Sequence, residues 1–135
     1  MPRNLYVNLP VKDLERAVDF FAALGFSFNP KFTDENATCM VINDNTAVML
    51  LVEPYFAGFI DKPIIDAHAG TEVLLALSLD SREDVDAFIG KAMTAGARTT
   101  LEAKDYGFMY QRSFADLDGH QWEVFWMDES QMPEE

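Results

Sequence analysis

The residues best suited to chemistry lie in one predicted β-hairpin. A turn of sequence DLDG at residues 116–119 separates two apolar runs that alternate with period two, as the strands of a hairpin do. If the turn is a four-residue loop, Arg112 and Glu123 lie directly opposite each other and share one face of the sheet. Their charges then either neutralise each other in a half-buried cavity or orient a polar ligand there.

The predicted strands around this pair carry mostly aromatic and aliphatic side chains. Tyr110 shares the face of Arg112, and Phe125 shares the face of Glu123. Tyr6 and Asn8 add hydrogen-bonding groups from the first strand of the chain. An apolar cavity with a few polar groups is the usual composition of a small-molecule pocket. The alternative interpretation is that the same large side chains fill the core.

Other reactive groups indicate no further chemistry. Cys39, the one cysteine, lies in a predicted strand without a neighbouring base, so it is predicted to be a buried, inert thiol. His68 and His120 are predicted to lie in a loop and a turn, and neither has the spaced partner of a metal motif. The sequence contains no Ser-His-Asp set, no glycine-rich phosphate loop and no dinucleotide-binding fingerprint.

The elements that position these residues occur twice. Leu9 and Glu15 of the first half match Leu77 and Glu83 of the second at a constant offset of 68 residues. In each copy a strand of period two leads through a capping residue into an amphipathic helix, which ends at a glycine and is followed by three short strands. We therefore predict a single domain of two repeats, at about 3–53 and 71–128, joined by 54–70 and followed by an acidic tail at 129–135.

The order of these elements, the repeat and the phrases NLPVKDLERAVDFFAALGF and FADLDGHQWEVFW resemble the vicinal oxygen chelate superfamily. That group includes glyoxalase I, fosfomycin- and bleomycin-resistance proteins and extradiol dioxygenases. The resemblance extends over residues 3–128. It implies an α+β fold in which two βαβββ modules form a half-open, curled mixed β-sheet. It also implies a homodimer, because members usually work as dimers whose sites are often shared between chains.

The resemblance implies where a metal would be bound. Enzymes of the superfamily take one ligand from the first and one from the last strand of each half, and these positions correspond here to Tyr6, Leu50, Leu74 and Glu123. Glu123 is a good ligand and Tyr6 offers a phenol, but the two leucines cannot ligate, whereas a catalytic metal needs about three protein ligands. No cofactor is therefore expected. The alternative is a displaced divalent metal site (Ni, Zn, Mn or Fe) built from Glu123, Glu72 and His68.

Three functions are compatible with these residues. The first is metal-free binding of a small aromatic or cationic molecule, as in bleomycin-resistance proteins. The second is a metal-dependent lyase or isomerase of the glyoxalase type, in which Glu123 moves a proton. The third is an interaction module whose apolar segment 55–65 contacts a partner. The predicted pocket for the first two consists of Tyr6, Asn8, Leu50, Glu72, Leu74, Tyr110, Arg112, Glu123 and Phe125.

Composition limits the partners and the location. The 135 residues include 23 acidic and 10 basic side chains, which give a net charge of −13. This charge argues against nucleic acid or an anionic membrane surface as partner, and it favours cationic ligands. The N-terminus lacks the apolar segment of a signal peptide, and no apolar run approaches the ~18 residues that span a bilayer. We therefore expect a cytoplasmic protein of bacterial type.

Overall fold

The computed structural model describes residues 3–132, in which the chain forms two compact units that divide between Ile65 and Asp66. The boundary falls inside the predicted connecting segment 54–70. Residues 133–135 of the predicted acidic tail lie outside the described residues.

The first unit contains four strands and two helices: β1 Leu5–Val11, α1 Leu14–Ala23, β2 Ser27–Asn29, β3 Ala37–Asn43, β4 Thr46–Val52 and α2 Glu53–Ala57. The strands form one sheet in the order β1-β4-β3-β2. β1 runs parallel to β4, whereas β3 is antiparallel to both of its neighbours. A 3-10 turn at Pro30–Phe32 follows β2.

Helix α1 forms where the sequence predicts it. The Asp13 carboxylate accepts a hydrogen bond from the backbone N–H of Arg16 at 3.1 Å and so caps the first turn. Gly25, with φ of +103°, adopts the left-handed conformation just after the helix. Phe20 and Phe21 are buried, and their rings meet edge to face with centroids 4.9 Å apart. These rings belong to the core that α1 forms with β4.

The second unit repeats this order with one extra short strand: β5 Leu74–Ser78, α3 Arg82–Thr94, β6 Arg98–Thr99, β7 Lys104–Asp105, β8 Met109–Ala115 and β9 Gln121–Met127. Its sheet has the order β5-β9-β8-β6, and β7 also pairs with β8. β5 runs parallel to β9. The Ser81 hydroxyl caps α3 by accepting a hydrogen bond from the N–H of Asp84 at 3.0 Å.

The core of the second unit is built around an aromatic pair. Trp122 of β9 is fully buried and stacks on Phe114 of β8, with ring centroids 6.3 Å apart and planes at 5°. Val85 and Ile89 of α3 are buried as well, since α3 packs against β8 and β9. Trp126, the other tryptophan of the chain, also lies on β9.

Each unit is therefore a βαβββ module, with an additional short strand in the second, and its first and last long strands lie side by side and parallel. The predicted α+β fold is confirmed, with mixed sheets that are not closed into a barrel. Across residues 3–132, no helix combines the length and apolarity needed to cross a lipid bilayer.

Candidate functional site

A cavity of about 730 Å³ opens on one face of the first sheet. Its floor is Asn8 of β1, Met49 and Leu51 of β4, and Ala37 of β3. These residues share one face, because Asn8 is paired with Met49 and Ala37 with Leu51 in the strand register. The remaining lining comes from the 3-10 segment and from α2 with the residues after it: Lys31, Phe32, Thr33, Asp34, Tyr55, Phe56, Phe59 and Ile60.

Helix α2 supplies the aromatic wall of the cavity. It begins directly after β4, where Pro54 fits the first turn of a helix because its missing N–H needs no partner there. The rings of Tyr55 and Phe59 meet edge to face, with centroids 5.2 Å apart and planes at 85°. α2 contacts both β1 and β4, which places its aromatic residues beside the cavity floor.

The wall that the 3-10 segment contributes is fixed by local hydrogen bonds. The Asn29 side chain accepts a bond from the N–H of Lys31 at 3.0 Å, and the Thr33 hydroxyl donates to the Asn29 carbonyl at 2.8 Å. Asp34 Oδ1 accepts bonds from the N–H groups of Asn36 and Ala37, at 2.8 and 3.1 Å. The backbone of this wall is therefore held in place without any ligand.

The structure brings part of the predicted pocket of the first half together and corrects one residue. Asn8 lines the cavity, and Tyr6 lies two residues earlier on the same face with half of its surface exposed. Leu50 was predicted in the pocket, and this is wrong: it pairs with Leu9 on the other face and is fully buried. Met49 occupies the position beside Asn8 instead.

The second unit presents several predicted residues on one sheet face. Leu74, Glu123 and Phe125 share that face, because Leu74 is paired with Gln121 and Glu123 lies two residues further along the same strand. The Glu123 side chain is half-buried and makes no hydrogen bond or ion pair with any other residue in 3–132. Glu72 precedes β5 and is exposed.

The predicted pairing of Arg112 with Glu123 is wrong. Arg112 lies opposite Val124 and therefore on the other face of the sheet from Glu123. Its guanidinium forms an ion pair of 3.0 Å with Asp86 of α3, and the Tyr110 hydroxyl donates to the same carboxylate oxygen at 2.7 Å. These two contacts, Tyr110 first, lower the pKa of Asp86. Tyr110 and Arg112 therefore serve the packing of α3 on the sheet.

The register of this hairpin differs from the predicted one because of the Asp116 side chain. Its Oδ1 accepts hydrogen bonds from the N–H groups of Asp118 and His120, each at 3.0 Å, so that the loop becomes one residue longer than predicted. Ala115 consequently faces Gln121. Oδ2 of Asp116 accepts a bond from the indole N–H of Trp122 at 3.0 Å, and burial raises the pKa of this carboxyl.

The error at Leu50 has a separate cause, which is the alignment of the last strands of the two repeats. Because β1 pairs with β4 and β5 pairs with β9 in corresponding registers, Tyr6 and Leu74 correspond, and so do Met49 and Glu123. The repeat offset at the last strand is therefore 74 residues, whereas matching residues 48–51 to residues 121–124 had suggested 73.

An arginine contact network in the second unit has no counterpart in the sequence analysis. The guanidinium of Arg82 forms a bidentate ion pair with the Asp105 carboxylate, with N–O distances of 2.7 and 2.9 Å. It also donates a hydrogen bond to the Gly107 carbonyl at 2.9 Å. It also lies 5.2 Å from the ring centroids of both Tyr110 and Trp126. The contacts fix the β7 segment to the start of α3. Arg82 and Asp105 are 23 residues apart, so no local pattern reveals the pair.

The Asp105 carboxyl is expected to report on this network. Arg82 above all, and then the N–H of Gly107, hold its pKa at about 2, against an ordinary value of 3.8. A lowered pKa means that the ion pair contributes stability above the ordinary value, and that this contribution is lost as the pH falls from about 4 to about 2. We expect R82M to raise the pKa of Asp105 part of the way to its ordinary value, since the contact with the Gly107 N–H remains, and NMR of the carboxyl carbon measures this change.

The control for this measurement is R82K, which keeps the charge but lacks the planar fork, and we expect an intermediate pKa. If Asp105 titrates at the same pH in R82M as in the native chain, the proposed role of Arg82 is contradicted.

Comparison with known proteins agrees with this architecture. A family model for the bleomycin resistance protein-like N-terminal domain matches residues 3–43. The structure is similar to that of a hypothetical protein from S. aureus, with 29% identity over 93% of this chain and 94% of that one and a TM-score of 0.78. No curated protein matches the sequence.

Two more distant structures show the same fold. A glyoxalase/bleomycin resistance protein/dioxygenase family enzyme from Burkholderia phytofirmans PsJN is 18% identical, with 91% of this chain and 97% of that one covered and a TM-score of 0.76. The fosfomycin resistance protein FosX from Listeria monocytogenes is 15% identical, with 96% and 97% covered and a TM-score of 0.69. The resemblance to the vicinal oxygen chelate superfamily is confirmed.

The metal that the vicinal oxygen chelate fold implies does not fit the residues present. Corrected by the register, its four positions hold Tyr6, Met49, Leu74 and Glu123, of which one is a carboxylate. The displaced site predicted from His68 and two glutamates is not assembled either, because no three His, Cys, Asp or Glu side chains within 3–132 are grouped to hold a metal ion. His68 instead lies against the hairpin loop, where its ring nitrogen would be 2.8 Å from a Cβ added at Gly119.

The apolar wall residues, which lie outside the predicted pocket, have a recognisable pattern in the sequence. Tyr55, Phe56, Phe59 and Ile60 form a dense apolar cluster within the predicted connecting segment. Their density indicates a packed segment, but only the structure shows that it forms a cavity wall. The turn containing Lys31 and Phe32 has no comparable signal, since its position depends on long-range strand pairing.

Proposed function

We propose that this protein binds a small aromatic or cationic organic molecule in the cavity of its first unit, without a metal, as a protein of the bleomycin-resistance type. The observation that carries the proposal is the cavity itself. Its volume of about 730 Å³ is that of a site for a drug-sized ligand. Its apolar floor and aromatic wall suit a flat, apolar molecule, and a cation is attracted by the faces of aromatic rings.

Charge and related proteins support the same proposal. The net charge of −13 attracts cations over long distances. A related structure is described as a bleomycin resistance protein or dioxygenase family enzyme, and another as a fosfomycin resistance protein. We extend the proposal to a cytoplasmic homodimer that binds neither nucleic acid nor membranes. The metal-dependent lyase or isomerase is the weaker alternative, because the described residues form no group of metal ligands.

A cationic dye tests the proposal. We expect thioflavin T, a flat aromatic cation, to bind with a saturable rise in fluorescence, and the anionic dye 8-anilinonaphthalene-1-sulfonate to bind at least tenfold more weakly. M49W places an indole on the cavity floor and should weaken thioflavin T binding at least tenfold. L101W places the same side chain at an exposed position of the second unit and should change nothing.

The dye experiment also separates the proposal from its alternative. A chelator should leave the affinity for thioflavin T unchanged if no metal takes part. Thermal melting followed by circular dichroism establishes that both variants are folded. Equal dye binding by M49W and the native chain would contradict a ligand site in this cavity, and loss of binding on chelation would favour the metal-dependent alternative.

A further inference from the structure

Two side chains of opposite charge line the cavity. Lys31 and Asp34 are three residues apart on the 3-10 wall, and both are exposed cavity-lining residues. The hydrogen bonds of Asn29 and Asp34 described above hold the backbone of this wall. The backbone positions from which the two charged side chains extend are therefore set by the fold.

The two charges do not neutralise each other. The ion pairs within 4.0 Å among residues 3–132 involve other side chains, and the Lys31 ammonium makes no hydrogen bond to any described residue. Asp34 uses Oδ1 to accept from the backbone, while Oδ2 accepts no bond within the same part of the chain. One cationic and one anionic group are therefore available to a ligand in the cavity.

We infer that the cavity selects a zwitterion of the amino-acid type. Its carboxylate pairs with Lys31, its ammonium with Asp34, and its apolar body lies against the aromatic wall. A ligand of one charge would leave either Lys31 or Asp34 unpaired next to the apolar surface that it covers, which costs affinity. This inference rests on the proposed function of the cavity and narrows its ligand class.

The cavity floor contains one further polar group that fits such a ligand. The Asn8 amide nitrogen lies 3.4 Å from the Tyr6 carbonyl, while its amide oxygen accepts no hydrogen bond from residues 3–132. Beside it lie the apolar side chains of Met49 and Leu51. A bulky ligand side chain with one N–H group, such as an indole, fits this floor. Its ring can pack on Met49 and Leu51, and its N–H can donate to the Asn8 amide oxygen.

Four indole compounds that differ only in charge test the inference. Tryptophan is zwitterionic, tryptamine cationic, indole-3-propionate anionic and 3-ethylindole neutral, and their affinities are measured by isothermal titration calorimetry. We expect tryptophan to bind at least tenfold more tightly than each of the others. K31M should reduce the tryptophan affinity about tenfold and leave that of tryptamine unchanged.

The matched variant D34N should reduce the affinities for tryptophan and tryptamine, and leave that of indole-3-propionate unchanged. Asparagine keeps the Oδ1 acceptor for Asn36 and Ala37, so the turn is preserved. If tryptamine or 3-ethylindole binds as tightly as tryptophan, the zwitterion inference is overturned and the proposed cavity site stands. If thioflavin T binds but none of the four indoles does, the inference is also overturned. Failure of the dye and of all four indoles overturns both.

Discussion

D116A is expected to lower the free energy of unfolding by about 3 kcal/mol. The buried carboxylate accepts three hydrogen bonds, from the N–H groups of Asp118 and His120 and from the indole of Trp122. Alanine leaves these three donors without that acceptor, and the indole is fully buried. A buried donor that loses its acceptor costs more than the hydrogen bond itself contributes, because water cannot replace the carboxylate. Urea denaturation followed by tryptophan fluorescence measures the loss.

Two variants control this experiment. D116N retains an oxygen for the two backbone N–H groups but turns an NH₂ group toward the indole, so we expect an intermediate loss. D128A removes a carboxylate that accepts from the N–H and hydroxyl of Ser130 and from the Gln131 side-chain amide. These donors are open to solvent, so water can replace the carboxylate and we expect a clearly smaller loss than for D116A. Equal losses in D116A and D128A would show that the Asp116 network does not stabilise the hairpin.

L50A is expected to cost about 3 to 4 kcal/mol, whereas M49A should cost about 1 kcal/mol. Leu50 has no exposed surface, so truncation opens a void among packed neighbours. Met49 is half-buried and borders a cavity that already exists. The free energy of unfolding of both variants, measured with urea, therefore tests the register of β4. The reverse order, with M49A the more damaging, would contradict that register.

M49A and L50A also distinguish a residue of the proposed binding site from a residue of the core. M49A changes the cavity floor and should alter thioflavin T affinity, while L50A, in conditions where it is folded, should not. This comparison separates a loss of binding from a loss of folding.

The fold could be predicted because its signals are local and occur twice. The Asp13 cap, the terminal glycines of both helices and the period-two strands each have a short-range cause. The strands and caps recur at an offset of 68 residues and the glycines at 71, which indicates two equivalent modules. Asn8 could be assigned for the same reason, since it lies two residues from a position fixed by the repeat.

The site was harder to predict because it depends on register and on distant contacts. The acceptor groups of Asp116 lengthen one loop by a residue, and in a sheet a shift of one residue moves a side chain to the other face. That single residue separates Arg112 from Glu123. At Leu50, a repeat offset taken as 73 residues and not 74 has the same effect on a different strand. The Arg82 contact with Asp105 joins segments 23 residues apart, for which a sequence pattern offers no signal.

Both tryptophans of the chain lie on β9, whereas the cavity lies entirely in the first unit. Intrinsic tryptophan emission therefore reports on the second unit alone. During denaturation it follows that half, and tyrosine absorbance or circular dichroism must be added to follow the other. If a ligand bound in the cavity changes the tryptophan emission, binding in the first unit affects the structure of the second. If the emission does not change, the second unit does not respond to binding in the first.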